Sequence, residues 1–381
     1  MACPPPPPTV KVEEHPLGQG STGRIFRAVV ESSGKTIAVK QSRVSLRVAR
    51  PYLQHEVRLL HLLQGHRAIP ELFGYYRGPH FEYIAMELLG ANLDDHLAGA
   101  DGFMEPEGLA LREETVANVG VQLLSALQHL LDKGVVHRDV KPSNILLCPT
   151  DPSAVRLVDY GCSSLIDVVR PRDPRAAAIV GTLRYCSIGV HDGHWPLQPS
   201  DDLDSLLYTL LFLLGGSLPW DYLGASASKP ACVEYVAAMK RTLSMDASES
   251  PLATELGRLL PSPKPDYSTL VARLQAWITP NPVDWSPVPP PPALRRLLVA
   301  TDGPDGPYSY GTAPSRRLPD SNRLLAMSAE WLPRAERLDD LTVPGPVGEA
   351  CDVAIPSFYV ALPEYAQHGP CSSSDTAPAT S

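Results

Sequence analysis

The stretch that decides the fold of this chain is VVHRDVKPSNILL, residues Val135 to Leu147. In it a single aspartate, Asp139, is surrounded by a histidine, an arginine, a lysine and an asparagine, with apolar residues directly before and after. A charged loop that leads into an apolar strand is typical of a catalytic loop held by a rigid core. The chemistry of this loop depends on what the rest of the chain brings to Asp139.

The composition of the chain excludes several broad classes of protein. The 381 residues are enough for two domains, or for one unit of two lobes with a tail, and 44% hydrophobic residues allow a sizeable core. A net charge of −9 argues against non-specific binding to nucleic acid or to an anionic membrane. The longest apolar run, residues 206–214, is far shorter than the ~20 residues of a membrane-spanning helix.

The seven cysteines are scattered along the chain, so neither a zinc site nor a redox motif is predicted. The N-terminal stretch MACPPPPPTV does not resemble a signal peptide. We therefore expect the protein in the cytosol, the nucleus or both, without nucleic-acid or membrane partners.

Prolines mark the predicted ends of the globular part. The 41 prolines cluster at the N-terminus and after about Pro280, and the stretch SPVPPPP at 286–292 is expected to be polyproline-like. The sequence therefore predicts a Pro-rich segment at 1–11, one globular domain at 12–284, and a Pro-rich, largely disordered tail at 285–381. A short helix is expected within the tail at SNRLLAMSAEWL.

The predicted domain divides into two lobes of unequal size. The stretches IFRAVV and KTIAVK predict two strands joined by a turn, and an apolar stripe from Leu53 to Leu63 predicts a helix. A long helix is predicted from about Glu113 to Lys133, because apolar residues recur at helical spacing and Gly134 follows. We therefore predict an α+β, bilobal fold, with a β-rich N-lobe at about 12–88 and a helical C-lobe at about 89–284.

Three glycines, Gly18, Gly20 and Gly23, lie in the motif GQGSTGRI. Glycine lets a tight loop bring backbone N–H groups close to phosphate oxygens. An ordinary hairpin explains these glycines equally well when they are taken alone. However, the third glycine leads into a predicted strand, whereas a dinucleotide-binding turn would lead into a helix. A β-hairpin that covers phosphates is therefore favoured.

Lys40 ends the strand IAVK, where a solvated edge lysine would be the ordinary interpretation. The strand places it near the glycine hairpin, where an ammonium group can hold phosphate oxygens. Glu56 lies on one helix face with Leu53 and Leu60 and is the carboxylate that would fix this ammonium group. Glu56 alone would be interpreted as a surface residue, but the two residues together indicate a functional pair.

The opening stretch then indicates phosphoryl transfer. Asp139 can orient an attacking hydroxyl and accept its proton, and Lys141 can neutralise charge on the transferred group. Asn144, and Asp159 in RLVDYG, offer oxygen ligands of the kind that Mg²⁺ prefers. Phosphoryl transfer needs positioning and charge neutralisation more than covalent chemistry, so these side chains form a sufficient template.

In chain order, the motifs GQGSTGRI, AVK, HRDVKPSN and DYG, with Glu56 between the second and third, resemble those of the eukaryotic protein kinases. The stretches MELLGANL at 86–93, GTLRYCSI at 181–188, DDLDSLLY, GSLPW and KPDYSTL are similar to the casein kinase 1 family. The resemblance covers about residues 12–284. It implies a serine/threonine kinase that transfers the γ-phosphate of ATP to protein hydroxyls, with ATP and Mg²⁺ as cofactors.

The resemblance also implies that ATP binds between the two lobes. Met86 resembles the gatekeeper at the back of the adenine pocket, and residues 87–89 resemble the hinge that binds adenine through backbone groups. Ile25, Ala38 and Leu146 are expected to sandwich the adenine ring. The implied ATP-binding residues are Leu17, Gly18, Gln19, Gly20, Ser21, Thr22, Gly23, Ile25, Ala38, Lys40, Met86, Glu87, Leu89 and Leu146.

The resemblance gives roles to further residues. Lys141 implies a preference for serine and threonine over tyrosine. Asp202 resembles a buried helix aspartate that braces the backbone of the catalytic loop, whereas His137 and Arg138 look structural. Cys162 is interpreted as a small packing residue, and the hydroxyl of Tyr160 needs a hydrogen-bond partner. The implied catalytic residues are Asp139, Lys141, Lys40 and Glu56, and the implied metal ligands are Asn144 and Asp159.

Substrate recognition departs from the family pattern. Casein kinase 1 enzymes prefer acidic or already phosphorylated substrates, and Arg184 matches one of the basic positions used for this. The apolar stretch AAAIV stands nearby where polar and basic residues are expected, which argues against recognition of pre-phosphorylated substrates. Gly189 replaces the asparagine of the family and is expected to alter the substrate groove.

Three other functions remain as alternatives. A catalytically weak pseudokinase or scaffold would have lost at least one of Lys40, Asp139, Asn144 and Asp159, and all are present. A small-molecule kinase of the aminoglycoside type would usually lack Lys141. The Pro-rich tail could bind SH3- or WW-type domains in addition to catalysis. We expect a monomer whose partners are protein substrates with serine or threonine.

Overall fold

The structure is a computed structural model in which the described residues form two compact units. The described residues of the first unit lie within Met1–Val57 and Glu71–Leu88, and those of the second lie within Arg58–Pro70 and Leu89–Val347. The ranges described are 10–20, 23–43, 52–77, 80–98, 109–166, 179–194, 197–222, 229–243, 250–259 and 266–290.

The first unit contains an antiparallel sheet of five strands in the order β1-β2-β3-β5-β4. The strands are β1 (Val10–Gly20), β2 (Gly23–Val30), β3 (Thr36–Arg43), β4 (Leu72–Arg77) and β5 (Phe81–Glu87), and helix α1 (Tyr52–Leu62) lies between β3 and β4 in the chain. Because side chains alternate between the faces of a strand, every second residue can enter the core. The core of this sheet is formed by Val10, Ala28, Val30, Ile37, Val39, Phe73, Tyr83 and Ala85.

The opposite face of the sheet carries several residues predicted to bind ATP. Ile25 of β2 is paired with Lys40 of β3, and Ala38 of β3 is paired with Met86 of β5. Directly paired residues share a face, as do residues two apart on one strand. Register alone therefore brings these four side chains to one surface.

The second unit is mainly helical. Its helices are α2 (Leu93–Ala98), α3 (Glu113–Asp132), α4 (Ile188–His191), α5 (Pro199–Gly215), α6 (Lys229–Arg241), α7 (Pro251–Leu259) and α8 (Tyr267–Gln275). Four short strands form two antiparallel pairs, β6 (Val135–Val136) with β9 (Ser164–Leu165), and β7 (Ile145–Leu147) with β8 (Val155–Leu157). These two pairs hold the loops that carry the candidate catalytic residues.

Helix α3 is the centre of the second unit because α5 and α8 both pack against it. A glycine makes the close approach possible: a Cβ atom at Gly120 would lie 2.9 Å from Leu274 of α8 and 3.2 Å from Leu210 of α5. The helix ends at Asp132, and two residues later Gly134 has a φ of 67°, the left-handed conformation that glycine adopts without strain. No helix in the described ranges is both long and apolar enough to cross a membrane.

The prediction of an α+β fold with a β-rich first part and a helical second part is confirmed. The two early strands are β2 and β3, and the long helix predicted from about Glu113 to Lys133 is α3. The helix predicted at SNRLLAMSAEWL, the N-terminal segment 1–9 and the tail beyond residue 290 lie outside the described residues.

Residues just beyond the predicted domain end are packed against the second unit. Ala110 and Val288 exchange two backbone hydrogen bonds of 2.8 Å each. The indole Nε1 of Trp285 donates to the carbonyl of Pro152 at 2.6 Å, and Thr115 donates to the carbonyl of Asp284 at 2.8 Å. The packed part of the chain therefore continues past residue 284, the predicted end of the domain, to at least Val288.

Candidate active site

In the first unit, Lys40 and Glu56 form a buried ion pair. The ammonium Nζ of Lys40 lies 2.9 Å from Oε1 and 2.8 Å from Oε2 of Glu56, and both residues are at most 5% exposed. The pairing fixes the ammonium group at the face of the sheet shared with Ile25, Ala38 and Met86. The structure thus brings together the two residues that the sequence predicted as a pair.

Helix α1, which carries Glu56, is held by a carboxylate from the sheet. Glu82 of β5 is fully buried and accepts the backbone N–H of Leu53, in the first turn of α1, at 2.8 Å. Its other oxygen accepts the hydroxyl of Tyr75 at 3.0 Å. Burial raises the pKa of Glu82, while these hydrogen bonds lower it. A carboxylate at the N-terminus of a helix is stabilising because the first N–H groups have no partner within the helix.

The glycine-rich motif forms the end of the β1–β2 hairpin. Gly18 is paired with Ile25, and Gly20 with Gly23. Gly23 has a φ of 141°, and a Cβ atom there would lie 2.0 Å from the carbonyl oxygen of Gln41, so only glycine fits. Leu17 and Ile25 are 51% and 39% exposed, which leaves apolar surface for a ligand. Ser21 and Thr22 lie outside the described residues.

The predicted hinge begins at the end of β5. The N–H of Glu87 donates to the carbonyl of Glu71 at 2.8 Å, so this N–H is used within the first unit. Met86 and Leu89 are half-buried. Leu146, which belongs to the second unit, is also half-buried and is paired with Arg156 on β8. Gln19 lies on β1, paired with Arg24.

In the second unit, the carboxylate of Asp139 is the centre of a hydrogen-bond network. Its Oδ1 accepts the hydroxyl of Thr182 at 2.7 Å, and its Oδ2 lies 2.7 Å from Nζ of Lys141. Lys141 also donates to Thr182 Oγ1 at 2.8 Å, and Asn144 donates to the backbone carbonyl of Asp139 at 2.9 Å. Burial lowers the pKa of Lys141, but the Asp139 carboxylate outweighs it, and the net shift is upward. Lys141 is therefore charged at neutral pH.

Asp202, on helix α5, braces the loop that precedes Asp139. Its two carboxylate oxygens accept the backbone N–H groups of His137 and Arg138, both at 2.7 Å. Burial raises the pKa of Asp202 to about 7, against the lowering effect of these two donors. Arg138 has a φ of 71°, a conformation that costs a non-glycine residue free energy. The paired hydrogen bonds hold the backbone in this conformation, which is the role predicted for Asp202.

Asn144 and Asp159, the two residues predicted to bind a metal, lie on loops that a backbone hydrogen bond joins. Because Asn144 uses its Nδ2 to donate to Asp139, its Oδ1 remains to act as an oxygen ligand. The N–H of Val158, the residue before Asp159, donates to the Asn144 carbonyl at 2.9 Å, which ties the two loops together. Asp159 has a φ of 65°. An amide oxygen and a carboxylate suit Mg²⁺, which is usually held by few protein oxygens together with phosphate oxygens.

The side chains next to the DYG motif, residues 159–161, are held by contacts within the second unit. The hydroxyl of Tyr160 finds its partner in the carbonyl of Leu157 at 3.0 Å, and its ring meets that of His137 edge-on at 5.1 Å. His137 is fully buried, and burial lowers its pKa, so it is neutral. Burial raises the pKa of Cys162 to about 12, which leaves its thiol unreactive. Arg138 donates to the carbonyl of Cys162.

Arg184, which matches a basic position of the family, and Gly189, which replaces the family asparagine, both contact carboxylates of the second unit. The guanidinium of Arg184 is paired with Asp221 and lies over the ring of Phe212, 4.5 Å from its centre. A Cβ atom at Gly189 would already lie 2.7 Å from the carboxylate of Asp201. That carboxylate accepts the hydroxyl of Ser187 at 2.5 Å, so glycine makes room for it.

Sequence analysis does not single out three residues whose contacts lie next to the predicted ones, one in the first unit and two in the second. Thr182 lies in the motif GTLRYCSI, and its hydroxyl directly after Gly181 is the signal that points to it. Glu82 interrupts an apolar strand, which signals a carboxylate with a special role. Lys240 falls at helical spacing behind Val236 on the buried side of α6. In each case the contact that gives the residue its role joins distant parts of the chain.

The class of the protein follows from its match to a family model. A model of the protein kinase domain family matches residues 12–259, more than half of the chain. The chain therefore belongs to the protein kinase domain family, which generally uses ATP and a divalent metal.

Two curated relatives show which group of protein kinases the chain resembles. The chain is similar to casein kinase I homolog RAG8 of Kluyveromyces lactis, with 28% identity over 256 residues, which are 64% of this chain and 45% of the relative. It is also similar to casein kinase I homolog 2 of Schizosaccharomyces pombe, with 32% identity over 225 residues, 56% of this chain and 48% of the relative. The predicted resemblance to the casein kinase 1 family is thereby confirmed. The chain spans about half the length of these curated relatives.

Proposed function

We propose that this protein is a serine/threonine protein kinase that transfers the γ-phosphate of Mg·ATP to protein hydroxyls. The observation that carries the proposal is the network in which Lys141 and Thr182 hold the carboxylate of Asp139. A carboxylate fixed by a charged and a neutral donor is positioned to orient an incoming hydroxyl.

Each charged residue then has a distinct task. Asp139 orients the hydroxyl of the substrate and accepts its proton as the bond to phosphorus forms. Lys141 neutralises charge that develops on the transferred group, because its own pKa is raised and it stays protonated. Asp202 keeps the loop in its left-handed conformation at Arg138, so the Asp139 carboxylate needs no reorganisation during the reaction.

ATP is proposed to be bound by the residues predicted for it. Lys40, fixed by Glu56, holds the α- and β-phosphates, while the backbone of the β1–β2 hairpin covers them. Leu17, Ile25, Ala38 and Met86 provide apolar surface for adenine. Asn144 and Asp159 would hold Mg²⁺, which supplies charge neutralisation for the phosphate oxygens when bound.

We propose further that the substrates do not need prior phosphorylation. The resemblance gives Arg184 a role in recognising acidic or phosphorylated residues. Its guanidinium, however, is already paired with Asp221, which neutralises the charge that a substrate phosphate would need. A preference for unphosphorylated peptides is therefore expected.

Three further proposals rest on the sequence alone. The Pro-rich tail at 285–381 is proposed to bind SH3- or WW-type domains through the part beyond Val288, and the protein is proposed to act as a monomer. The scattered cysteines and the acidic net charge of −9 support a location in the cytosol or nucleus.

The test is phosphate transfer to a panel of serine peptides by the purified chain with Mg·ATP. The panel contains neutral, acidic and pre-phosphorylated versions of the same peptide. We expect transfer to the unphosphorylated peptides, with Asp139→Asn lowering turnover by at least about a hundredfold and Lys40→Met raising the KM for ATP. Asp151→Asn, a change at an exposed carboxylate, is the matched control and should leave turnover unchanged.

Three results would contradict these proposals. If the unaltered chain binds Mg·ATP but transfers no phosphate, the pseudokinase alternative is correct. If Asp139→Asn retains the turnover of the unaltered chain, Asp139 is not the catalytic aspartate. A clear preference for the pre-phosphorylated peptide would show that Arg184 is available to phosphate in spite of Asp221.

A further inference from the structure

Lys240 of helix α6 is a buried lysine that the proposed mechanism does not use. It is 3% exposed, and its Nζ donates to the carbonyl oxygens of Leu183 at 2.8 Å and Cys186 at 2.7 Å. Its third neighbour is Nε2 of His191 at 3.2 Å. All three acceptors belong to the segment Leu183–His191, so the ammonium group joins α6 to this segment at three points.

Two aromatic rings also lie beside the ammonium group. The rings of Tyr208 and Trp220 lie 4.9 Å and 5.3 Å from Nζ, within the range of cation–π attraction. Among the described residues, no carboxylate forms an ion pair with Lys240. Burying an ammonium group without a carboxylate partner costs free energy. Packing alone would therefore favour an apolar side chain at position 240.

The segment that Lys240 holds continues directly into the candidate catalytic network. The backbone N–H groups of Tyr185 and Cys186 both donate to the carbonyl of Thr182 at 2.9 Å, which closes a tight turn. At the start of this turn, a Cβ atom at Gly181 would lie 2.2 Å from the carbonyl oxygen of Arg138. The turn therefore touches the catalytic loop at one end and Lys240 at the other.

We propose that Lys240 is a positioning residue for the peptide substrate. By holding the carbonyls of Leu183 and Cys186, its ammonium group fixes the turn that presents Thr182 to Asp139, beside the place where the substrate hydroxyl must sit. The inference rests on the proposed kinase function and adds to it a residue that acts through the backbone of the substrate-binding segment.

Because the charge of Lys240 depends on pH, the proposal predicts the direction in which peptide binding changes with pH. Burial lowers the pKa of Lys240 to about 8 from the ordinary 10.5. The groups that face it are Cys186, His191, Asp204, Tyr208, Asp221 and, on its own helix, Arg241. Burial raises the pKa of Cys186 and of Tyr208, lowers that of His191 to about 4 and raises that of Asp204 to about 6. Lys240 is thus the group with a shifted pKa near 8 in this cluster.

Stability and activity should respond to alkaline pH in opposite directions. Because the pKa of Lys240 is lower in the folded chain than in the unfolded chain, its charge reduces the free energy of unfolding below pH 8. This cost disappears as the pH rises from about 8 to 10.5, so the titration of Lys240 raises the free energy of unfolding over this range. A positioning role predicts that peptide binding weakens over the same range.

The experiment compares Lys240→Met with Arg241→Met in the full chain. Arg241 is the next residue on α6 and pairs with Asp192 at the surface, so it controls for losing a cation from the same helix. At pH 7, we expect Lys240→Met to raise the KM for a serine peptide at least about tenfold, with little change in the KM for ATP. The peptide KM of the unaltered chain should also rise above pH 8, and that rise should be absent in Lys240→Met.

Amide hydrogen exchange provides a readout that does not need activity. In Lys240→Met the amides of Tyr185, Cys186 and Val190 should exchange at least about tenfold faster, while those of helix α3 stay protected. Unchanged exchange in the turn overturns the inference, whatever the activity. An inactive but normally folded unaltered chain contradicts the kinase function instead, and exchange then still decides whether Lys240 holds the turn. An active chain whose peptide KM is unaffected by Lys240→Met overturns the positioning role.

Discussion

Thr182 contacts both charged side chains of the catalytic loop through a single hydroxyl. The hydroxyl donates to Asp139 at 2.7 Å and accepts from Lys141 at 2.8 Å, so its one hydrogen is used. Lys141 and Asp139 also contact each other directly, and the three side chains form a closed triangle. Hydrogen bonds to charged groups contribute more than neutral ones, which makes this hydroxyl important for the orientation of the carboxylate.

Replacement of Thr182 by valine tests this contribution, because valine keeps the shape and removes the hydroxyl. We expect Thr182→Val to lower kcat by about 10- to 100-fold, since Asp139 loses a donor and Lys141 an acceptor. Thr182→Ser keeps the hydroxyl and should retain most of the turnover. Steady-state kinetics with a serine peptide measures both, and equal kcat values for the two variants would show that the hydroxyl of Thr182 does not contribute to turnover.

The sequence was sufficient for residues whose roles are set locally. Asp139, Lys141 and Asn144 lie within six consecutive residues, so their spacing alone indicates a common loop. Thr182 reaches the same network from about 40 residues further along the chain. No periodicity or spacing in the sequence fixes a distance of that kind, and only the folded backbone brings the hydroxyl to the carboxylate.

Helix α1 is positioned by the sheet through Glu82. The helix has no acidic residue in its first turn, so the carboxylate of Glu82 provides the negative charge at its N-terminus. Leu53, which donates to Glu82, is one helical turn before Glu56. The same contact that stabilises the helix therefore sets the position of the carboxylate that pairs with Lys40.

Truncation of this carboxylate should affect both stability and nucleotide binding. We expect Glu82→Ala to lower the free energy of unfolding by about 1–3 kcal/mol, because buried N–H groups of α1 lose their acceptor, and to raise the KM for ATP. Urea unfolding and ATP titration measure the two effects.

Glu13→Ala is the matched control, because Glu13 is half-exposed and its ion pair with Arg27 is long, at 3.9 Å. A surface pair of this kind contributes at most about 1 kcal/mol. If Glu82→Ala changes stability no more than Glu13→Ala does, Glu82 does not anchor the helix.

The sequence predicts helices and strands correctly where the periodic pattern of apolar residues repeats several times. The twenty residues of α3 repeat their apolar positions several times, and the prediction of about Glu113 to Lys133 is close to the observed Glu113–Asp132. Short β-branched runs on either side of a turn likewise predicted β2 and β3. Two-residue strands such as β6 and β9 carry no such pattern, because they exist only through their mutual pairing.

At the scale of the whole molecule, the segment 284–290 belongs to the packed structure of the second unit. Besides the contacts of Trp285 and Val288, the side chain of Asp284 pairs with Arg112, and His96 lies 2.7 Å from the carbonyl of Trp285. A proline-rich composition predicted a tail here, because it shows that a segment cannot form a helix or an interior strand. It does not show whether the segment packs as a single extended chain.

Shortened chains test this extension of the domain. A chain that ends at Pro290 should keep the Tm and the kinase activity of the full chain. A chain that ends at Val283 should unfold at a lower temperature, by about 2–4 °C for each kcal/mol of lost contacts, because the partners of Ala110, Thr115 and Pro152 are removed. Calorimetry measures the difference, and equal Tm values for the two chains would show that the segment is not part of the stable fold.

The braces of the second unit lie far along the chain from the loops that they hold. Asp202 is 65 residues after His137, and Lys240 is 57 residues after Leu183. A ribosome releases the N-terminal residues first, so the catalytic loop emerges well before the helices that carry these two side chains. Until α5 and α6 have left the exit tunnel, the catalytic loop of a nascent chain lacks Asp202, and the segment Leu183–His191 lacks Lys240. Translation itself therefore delays the appearance of a competent enzyme until most of the second unit has been made.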